Sequence, residues 1–388
     1  MNVTVAKRLQ QTEEYYFSRK LREIENMNKA GADVINLGIG SPDLPPHASV
    51  VAALNEYAAK PNTHAYQGYK GIPALRNAIA QWYQRFYNVS LDADTEVLPL
   101  IGSKEGIMHI CMTFLEEGDQ ALIPDPGYPT YSSAVNLSGA TPVTYNLSEE
   151  NHWLPDLQAL AAQDLSKVKL MWVNYPHMPT GAQADAKFFE ELIAFGKANN
   201  ILICHDNPYS FILNETPTSL LSVPGAKDVV LELNSLSKSG NMAGWRVGML
   251  AGRADLINEV LRFKSNMDSG MFQPVQMAAV AALELGKEWY DELNTIYSAR
   301  RTKVFELLDL LGATYDKNQV GMFVWAKIPA GKKDGYEVSD DVLYKANVFI
   351  TPGGIFGKNG AGYIRVSLCK DEKVFSEAIA RIQSALQS

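Results

Sequence analysis

The sequence predicts an α/β protein in which a large unit with a mostly parallel central sheet flanked by helices is joined to a smaller α+β unit. Two observations carry this. Short apolar runs at 168–174, 201–205, 229–233 and 247–251 alternate with amphipathic stretches, such as the one through Phe188, Phe189, Leu192, Ile193 and Phe195. That alternation is the signature of β/α units. After Pro274 the pattern turns helical over 275–311, and shorter runs at 321–326, 348–351 and 363–368 follow. The expected division is a large domain at 46–285 and a small domain made of 1–45 and 286–388.

Composition narrows the function before any motif is read. With 388 residues and 46% apolar content the chain can bury at least one large core. Its 35 Lys and Arg stand against 43 Asp and Glu, a net charge of −8, so there is no broad basic surface for nucleic acid. The three cysteines, Cys111, Cys204 and Cys369, lack metal-ligand spacing and read as reduced core residues. Residues 1–30 are dense in charge with no apolar signal-peptide core, and no apolar run reaches membrane-span length, so a cytoplasmic protein acting on a small molecule is expected.

The central chemical feature lies at 234–248, where Lys238 stands between Ser237 and Ser239 and Arg246 follows eight positions on, between Gly244 and Gly248. Glycines allow close backbone approach to a ligand, serines and an arginine can hold a phosphate, and a deprotonated lysine amine can attack an aldehyde. Arg246 and the serines are expected to help depress the lysine pKa. The bland alternative is a loop lysine with an ion-paired arginine.

Two further segments converge on the same chemistry. Gly102-Ser103-Lys104 follows the apolar run 97–101 and opens an apolar-periodic helix through Leu115, which places backbone N–H groups and a hydroxyl where an anion can bind. Asp206 and Tyr209 follow the apolar run 201–205, at the end of an expected strand, where open α/β sheets bind their ligands. A carboxylate there can keep a pyridine nitrogen protonated; equally, an aspartate at a strand-to-helix junction can be an N-cap.

Together these residues resemble the aspartate-aminotransferase-like family, pyridoxal 5′-phosphate (PLP) enzymes of fold type I, class I/II, over nearly the whole chain. The resemblance implies that Lys238 is the Schiff-base lysine, and that Ser235, Ser237, Arg246 and the helix start at Gly102, Ser103 and Lys104 hold the cofactor phosphate. It implies Asp206 on the pyridine nitrogen, Tyr209 on the ring's 3-oxygen, and Tyr128 of Pro126-Gly127-Tyr128-Pro129 stacked on the ring. Arg365 and the backbone at Gly40 are the implied grip on the substrate carboxylate. Tyr66 is implied to reach the phosphate in the neighbouring subunit of a homodimer. The catalytic residues are then Lys238, Asp206 and Tyr209. The motifs at 102–107 and 265–270 look most like the LL-diaminopimelate aminotransferase branch, which makes Tyr15 and Asn266 candidates for substrate side-chain contacts.

One position departs from the family pattern. In Tyr175-Pro176-His177-Met178-Pro179-Thr180-Gly181, Met178 stands where an asparagine normally donates to the ring oxygen, and methionine cannot donate. Loss of that donor is expected to raise the pKa of the cofactor imine by about one unit. Amino-group transfer from an amino acid to a 2-oxo acid is the reading these features favour. Carbon–sulfur β-elimination and non-catalytic PLP binding are its alternatives. Gly38-Ile39-Gly40 lacks the third glycine of a dinucleotide loop, and His177 and His205 are read as structural.

Overall fold

The computed structural model describes residues 3–10 and 16–387. Its first strand, β1 (Ile35–Asn36), pairs in parallel with Val348–Phe349, so the N-terminal segment is built into the C-terminal part of the chain. Seven strands then form the central sheet: β2 (Val97–Leu100), β3 (Gln120–Asp125), β4 (Thr141–Asn146), β5 (Val168–Val173), β6 (Leu202–Asp206), β7 (Val230–Ser235) and β8 (Gly248–Gly252). Their order is β2-β8-β7-β6-β5-β3-β4, and β8 alone runs antiparallel to its neighbours.

The inner strands are apolar without alternation because helices cover both faces. Every residue of β7 and β8 is buried. One face packs on Pro73–Tyr87, Ala186–Asn199 and Gln273–Leu283 through Leu75, Trp82, Leu192 and Ala279. The other packs on Ser103–Phe114 and Ala254–Lys264 through Ile107, Ile110 and Val260. A separate core forms around β9 (Phe323–Lys327), β10 (Val348–Phe349), β11 (Thr351–Pro352) and β12 (Tyr363–Ser367), with β11, β12 and β9 in one antiparallel sheet.

Two sequence expectations change in detail. The stretch 275–311 is two helices, Gln273–Leu283 and Lys287–Leu311, separated at Gly286, whose extended backbone caps the second. The first buries Ala278 and Ala282 in the core of the large sheet. The second leaves that core at Tyr290 and enters the other at Leu293, so one straight helix could not serve both. Apolar periodicity runs through the break and conceals it. The second change concerns β7 and β8: no α-helix joins them, and the connection is the lysine loop itself, with one short 3-10 turn at Ala243–Trp245.

Residues 37–45 run between the two cores and reach the edge of the large sheet. They are anchored by Asp43, whose carboxylate accepts from Arg300 Nη1 at 2.7 Å and Nη2 at 2.9 Å. Arg300 is buried and also donates to the Leu368 carbonyl. Gly38 and Gly40 belong to this packing: a Cβ on either would run into the rings of Phe349 and Phe323, which explains two closely spaced glycines without any dinucleotide loop.

Candidate active site

Parallel strands bring their carboxyl ends to one edge, and the loops leaving β2, β3, β6 and β7 meet there around a cavity of about 320 Å³. The cavity is lined by Ser103 and Lys104 after β2, Tyr128 after β3, Asp206 and Tyr209 after β6, and Ser235, Ser237, Lys238 and Arg246 after β7. Gly40 and Arg365 close it from the other core. Residues spread over more than 300 positions of sequence thus face one space.

The start of helix Ser103–Phe114 and Arg246 form an anion cradle. Gly102 has φ 85° as the residue before the helix, and a Cβ there would collide with the Arg246 guanidinium. A Cβ on Gly248 would lie 2.5 Å from the Ser103 nitrogen. Arg246 itself is held at φ 57°, a left-handed conformation that a long side chain rarely adopts. Its Nη1 donates to Ser237 Oγ at 3.3 Å and to the Ala243 carbonyl at 2.9 Å. Ser235 Oγ accepts from the Ser237 N–H at 3.1 Å, which fixes the two hydroxyls relative to each other. Free helix N–H groups, hydroxyls and a guanidinium facing a cavity suit a phosphate dianion.

Asp206 lies opposite, only 4% exposed. Its Oδ2 accepts from the Tyr131 hydroxyl at 2.9 Å, whereas its buried Oδ1 has no hydrogen-bond partner among the described residues. Burial raises its pKa to about 6, against the lowering effects of Tyr131, His205 and Lys238. A buried carboxylate with one oxygen satisfied and the other without a partner fits a cationic N–H, such as a protonated pyridine nitrogen. Tyr131 is itself fixed by stacking on Trp172, with ring centroids 5.2 Å apart and planes 9° from parallel. The strand end is held from behind by Asn174, whose amide donates to the Asp206 carbonyl at 2.6 Å and accepts from the Met178 N–H at 2.7 Å.

Lys238 reaches into the cavity and donates to the Gly40 carbonyl at 2.6 Å. Its pKa is lowered, first by burial and then by Arg365 and Arg246, with Cys369 and Asp206 opposing. Burial therefore outweighs the Arg246 effect that the sequence pointed to. The Tyr209 ring lies 5.9 Å from the lysine nitrogen, and burial pushes its phenol well above the usual range. Arg365, 4% exposed, donates through Nη2 to the Gly38 carbonyl at 2.7 Å and through Nη1 to the Met178 sulfur at 3.3 Å. Met178 thus turns an acceptor toward the arginine, at the position where the family carries a donor for the ring.

Two candidates lie elsewhere among the described residues. Tyr66 is 92% exposed and far from filling its own chain's cavity. Asn266 is exposed, its amide donating to the Arg262 carbonyl. Tyr15 falls outside the described residues. Conversely, the sequence reading missed Tyr131, Asn174, Phe17, Phe323 and Phe356, all of which line the cavity. Tyr131 could have been found one helical turn after Tyr128; nothing local marks the phenylalanines. His205 hydrogen-bonds Glu232 at 2.8 Å and the Tyr175 carbonyl at 2.9 Å behind the sheet, and His177 bonds Thr180 at 2.8 Å.

The Asp206 environment has a measurable consequence in the cofactor-free protein. Unfolded, this carboxyl titrates near 3.8; folded, at about 6. Above both values its ionisation penalises the fold by on the order of 2–3 kcal/mol. As pH falls through 6 toward 4 the folded state takes up a proton that the unfolded state does not, and the penalty disappears. Urea unfolding of the cofactor-free parent and its Asp206→Asn variant is expected to show the parent gaining stability on the variant as pH drops from 7 to 4. A pH-independent difference would contradict the buried, half-satisfied carboxylate.

Residues 32–382 match the family model for aminotransferase class I and II. An LL-diaminopimelate aminotransferase from Moorella thermoacetica is 42% identical over 98% of this chain and 98% of its own, and one from Dehalococcoides mccartyi is 41% identical over 97% and 98%. Among solved structures, substrate-bound BacF from Bacillus subtilis superposes with a TM-score of 0.92 at 38% identity, covering 99% of this chain and 98% of that one. Relatives of this kind work with pyridoxal phosphate, and the cradle and carboxylate above suit its phosphate and ring nitrogen. The chain belongs to the class I and II aminotransferases of fold type I and transfers amino groups with pyridoxal phosphate as cofactor.

Proposed function

We infer that Lys238 is the residue through which this chain carries the amino group between an amino acid and a 2-oxo acid. The observation that carries the reading is the convergence of a depressed lysine, a half-satisfied buried carboxylate and an anion cradle on one cavity. When bound, PLP supplies an electron sink for the negative charge left at the substrate α-carbon. Asp206 would hold a proton on the ring nitrogen, and Tyr131 and Asn174 keep that carboxylate in place. Gly102, Ser103, Lys104, Ser235, Ser237 and Arg246 would hold the phosphate end, Tyr128 would lie against the ring, and Tyr209 would donate to its oxygen.

Arg365 binds the α-carboxylate and, with the Gly40 backbone, fixes the orientation of the α C–H bond. Lys238, its ammonium form disfavoured by burial, would take the α-proton onto Nζ and then give it up to the cofactor, which leaves the amine neutral again. The Gly40 carbonyl, 2.6 Å away, is the acceptor that aims it. The division into 46–285 and 1–45 with 286–388 belongs to this reading, since the carboxylate grip comes from one core and the cofactor site from the other. So does a cytoplasmic setting; no helix among the described residues is long and apolar enough to cross a membrane.

The site is proposed to be completed by a second copy. Tyr66, Tyr69, Met267 and Phe272 are large apolar residues exposed on one chain. The segments bearing them touch: a Cβ on Gly270 would meet the Gln67 and Gly68 carbonyls, and the His64 and Phe272 rings lie 5.7 Å apart. A homodimer would cover this patch and place Tyr66 and Asn266 at the neighbour's cavity.

Rapid mixing of the PLP-loaded protein with amino acids, followed by absorbance, tests the central role. Lys238→Arg is expected to bind cofactor yet lose at least about 10³-fold in amino-transfer rate; a variant that transfers at the parent rate would refute it. Release of pyruvate from cysteine-type substrates without a 2-oxo acid acceptor would instead favour elimination. Tyr66→Phe is expected to weaken cofactor retention roughly tenfold by loss of one charge-assisted hydrogen bond, with an unchanged melting temperature of the cofactor-free form. Unchanged retention would count against the shared site.

A further inference from the structure

We propose that the amino donor carries a large apolar side chain, best an aromatic one, and that the site selects against a side chain ending in a second ammonium group. This rests on the aminotransferase reading above and concerns only what lies beyond the α-carbon. The cavity has a polar floor, formed by Lys238, Asp206, Arg246 and the serines, and a wall that is almost wholly apolar. The wall consists of Phe17, Ile39, Tyr128, Met178, Phe323 and Phe356.

Arg365 ties this wall to the substrate. Its guanidinium lies 3.9 Å from the Phe323 ring centroid, 4.7 Å from Phe356 and 5.9 Å from Phe17. These rings hold the arginine by cation–π attraction. A carboxylate bound there has its remaining atoms surrounded by the same faces, and a flat apolar side chain gains from covering them.

Charge points the same way. Among the described residues lining the cavity, Lys104, Lys238, Arg246 and Arg365 are cationic and Asp206 is the sole acid. Asp206 accepts from Tyr131 through one oxygen, and its other oxygen is the one assigned above to the cofactor's ring nitrogen. A distal ammonium entering this space meets no further carboxylate among the described residues, and desolvating an unpaired charge is strongly unfavourable. The segment 61–72, which carries Tyr66 and is proposed above to reach the neighbour's cavity, contains His64 and Lys70 and no Asp or Glu. Asp268, nearby in sequence to Asn266, is engaged through both oxygens by Lys264 at 2.7 Å. LL-diaminopimelate, named for two of the relatives, ends in a second ammonium and a second carboxylate; among the described residues lining the cavity, no carboxylate is left to meet that ammonium.

The test is a panel of amino acids mixed singly with the PLP-loaded enzyme, with conversion of the cofactor absorbance read as a second-order rate. Phenylalanine or tyrosine is expected to exceed LL-diaminopimelate and lysine by about a hundredfold or more. A binding measurement without chemistry accompanies it: 3-phenylpropanoate is expected to quench the protein's fluorescence with an affinity at least about tenfold tighter than 6-aminohexanoate. LL-diaminopimelate reacting as fast as phenylalanine, or 6-aminohexanoate binding as tightly as 3-phenylpropanoate, would overturn the substrate assignment and leave amino transfer standing. Conversion by no amino acid of the panel would overturn the underlying reading as well.

Discussion

A buried carboxylate with one oxygen satisfied and one left over is the constraint on which the rest of this site depends. Asp206 costs the fold stability while it waits, because burial opposes its charge. The protein tolerates this because the strand end is locked from three sides. Tyr131 holds Oδ2, Asn174 holds the backbone carbonyl, and β7 pairs along the strand. The remaining oxygen is thereby pre-positioned for a cation that the fold itself does not supply. Electrostatic work done in folding is returned when that cation arrives, which is how a preorganised site lowers a barrier.

The other elements follow from facing that carboxylate across a small space. The lysine loop replaces the helix that would ordinarily join successive strands, so β8 returns antiparallel and brings Arg246 back beside the helix start at Gly102. Strain is accepted at Arg246 in exchange for the close approach of two backbone segments and the guanidinium, which glycines at 102 and 248 permit. Lys238 is kept between this cradle and Asp206, crowded enough to lose affinity for its proton and aimed by the Gly40 carbonyl. The Arg300–Asp43 pair fixes the segment carrying Gly40, so an interaction remote from the chemistry sets the lysine's resting position.

Much of this was legible in the sequence, and the reasons are local. Strands covered on both faces read as uninterrupted apolar runs, and Lys238, Asp206 and the Gly102 helix start each sit in a motif whose spacing reports its backbone. What was not legible depends on distant pairing. Phe17, Phe323 and Phe356 are ordinary apolar residues until the fold wraps them around Arg365, and Glu232 gives no sign of its bond to His205 on the adjoining strand. The break at Gly286 was hidden because helical periodicity continues on both sides of it. Met178 was visible as a departure, but its contact with Arg365 emerges only in three dimensions.

The measurement that bears most directly on the central claim is chemical trapping of the cofactor-loaded protein with borohydride, followed by proteolysis and mass spectrometry of the lysine peptides. The account predicts a single pyridoxyl adduct, on the peptide containing Lys238, in one copy per chain. An adduct on another lysine, or none at all in protein that has bound the cofactor, would contradict it.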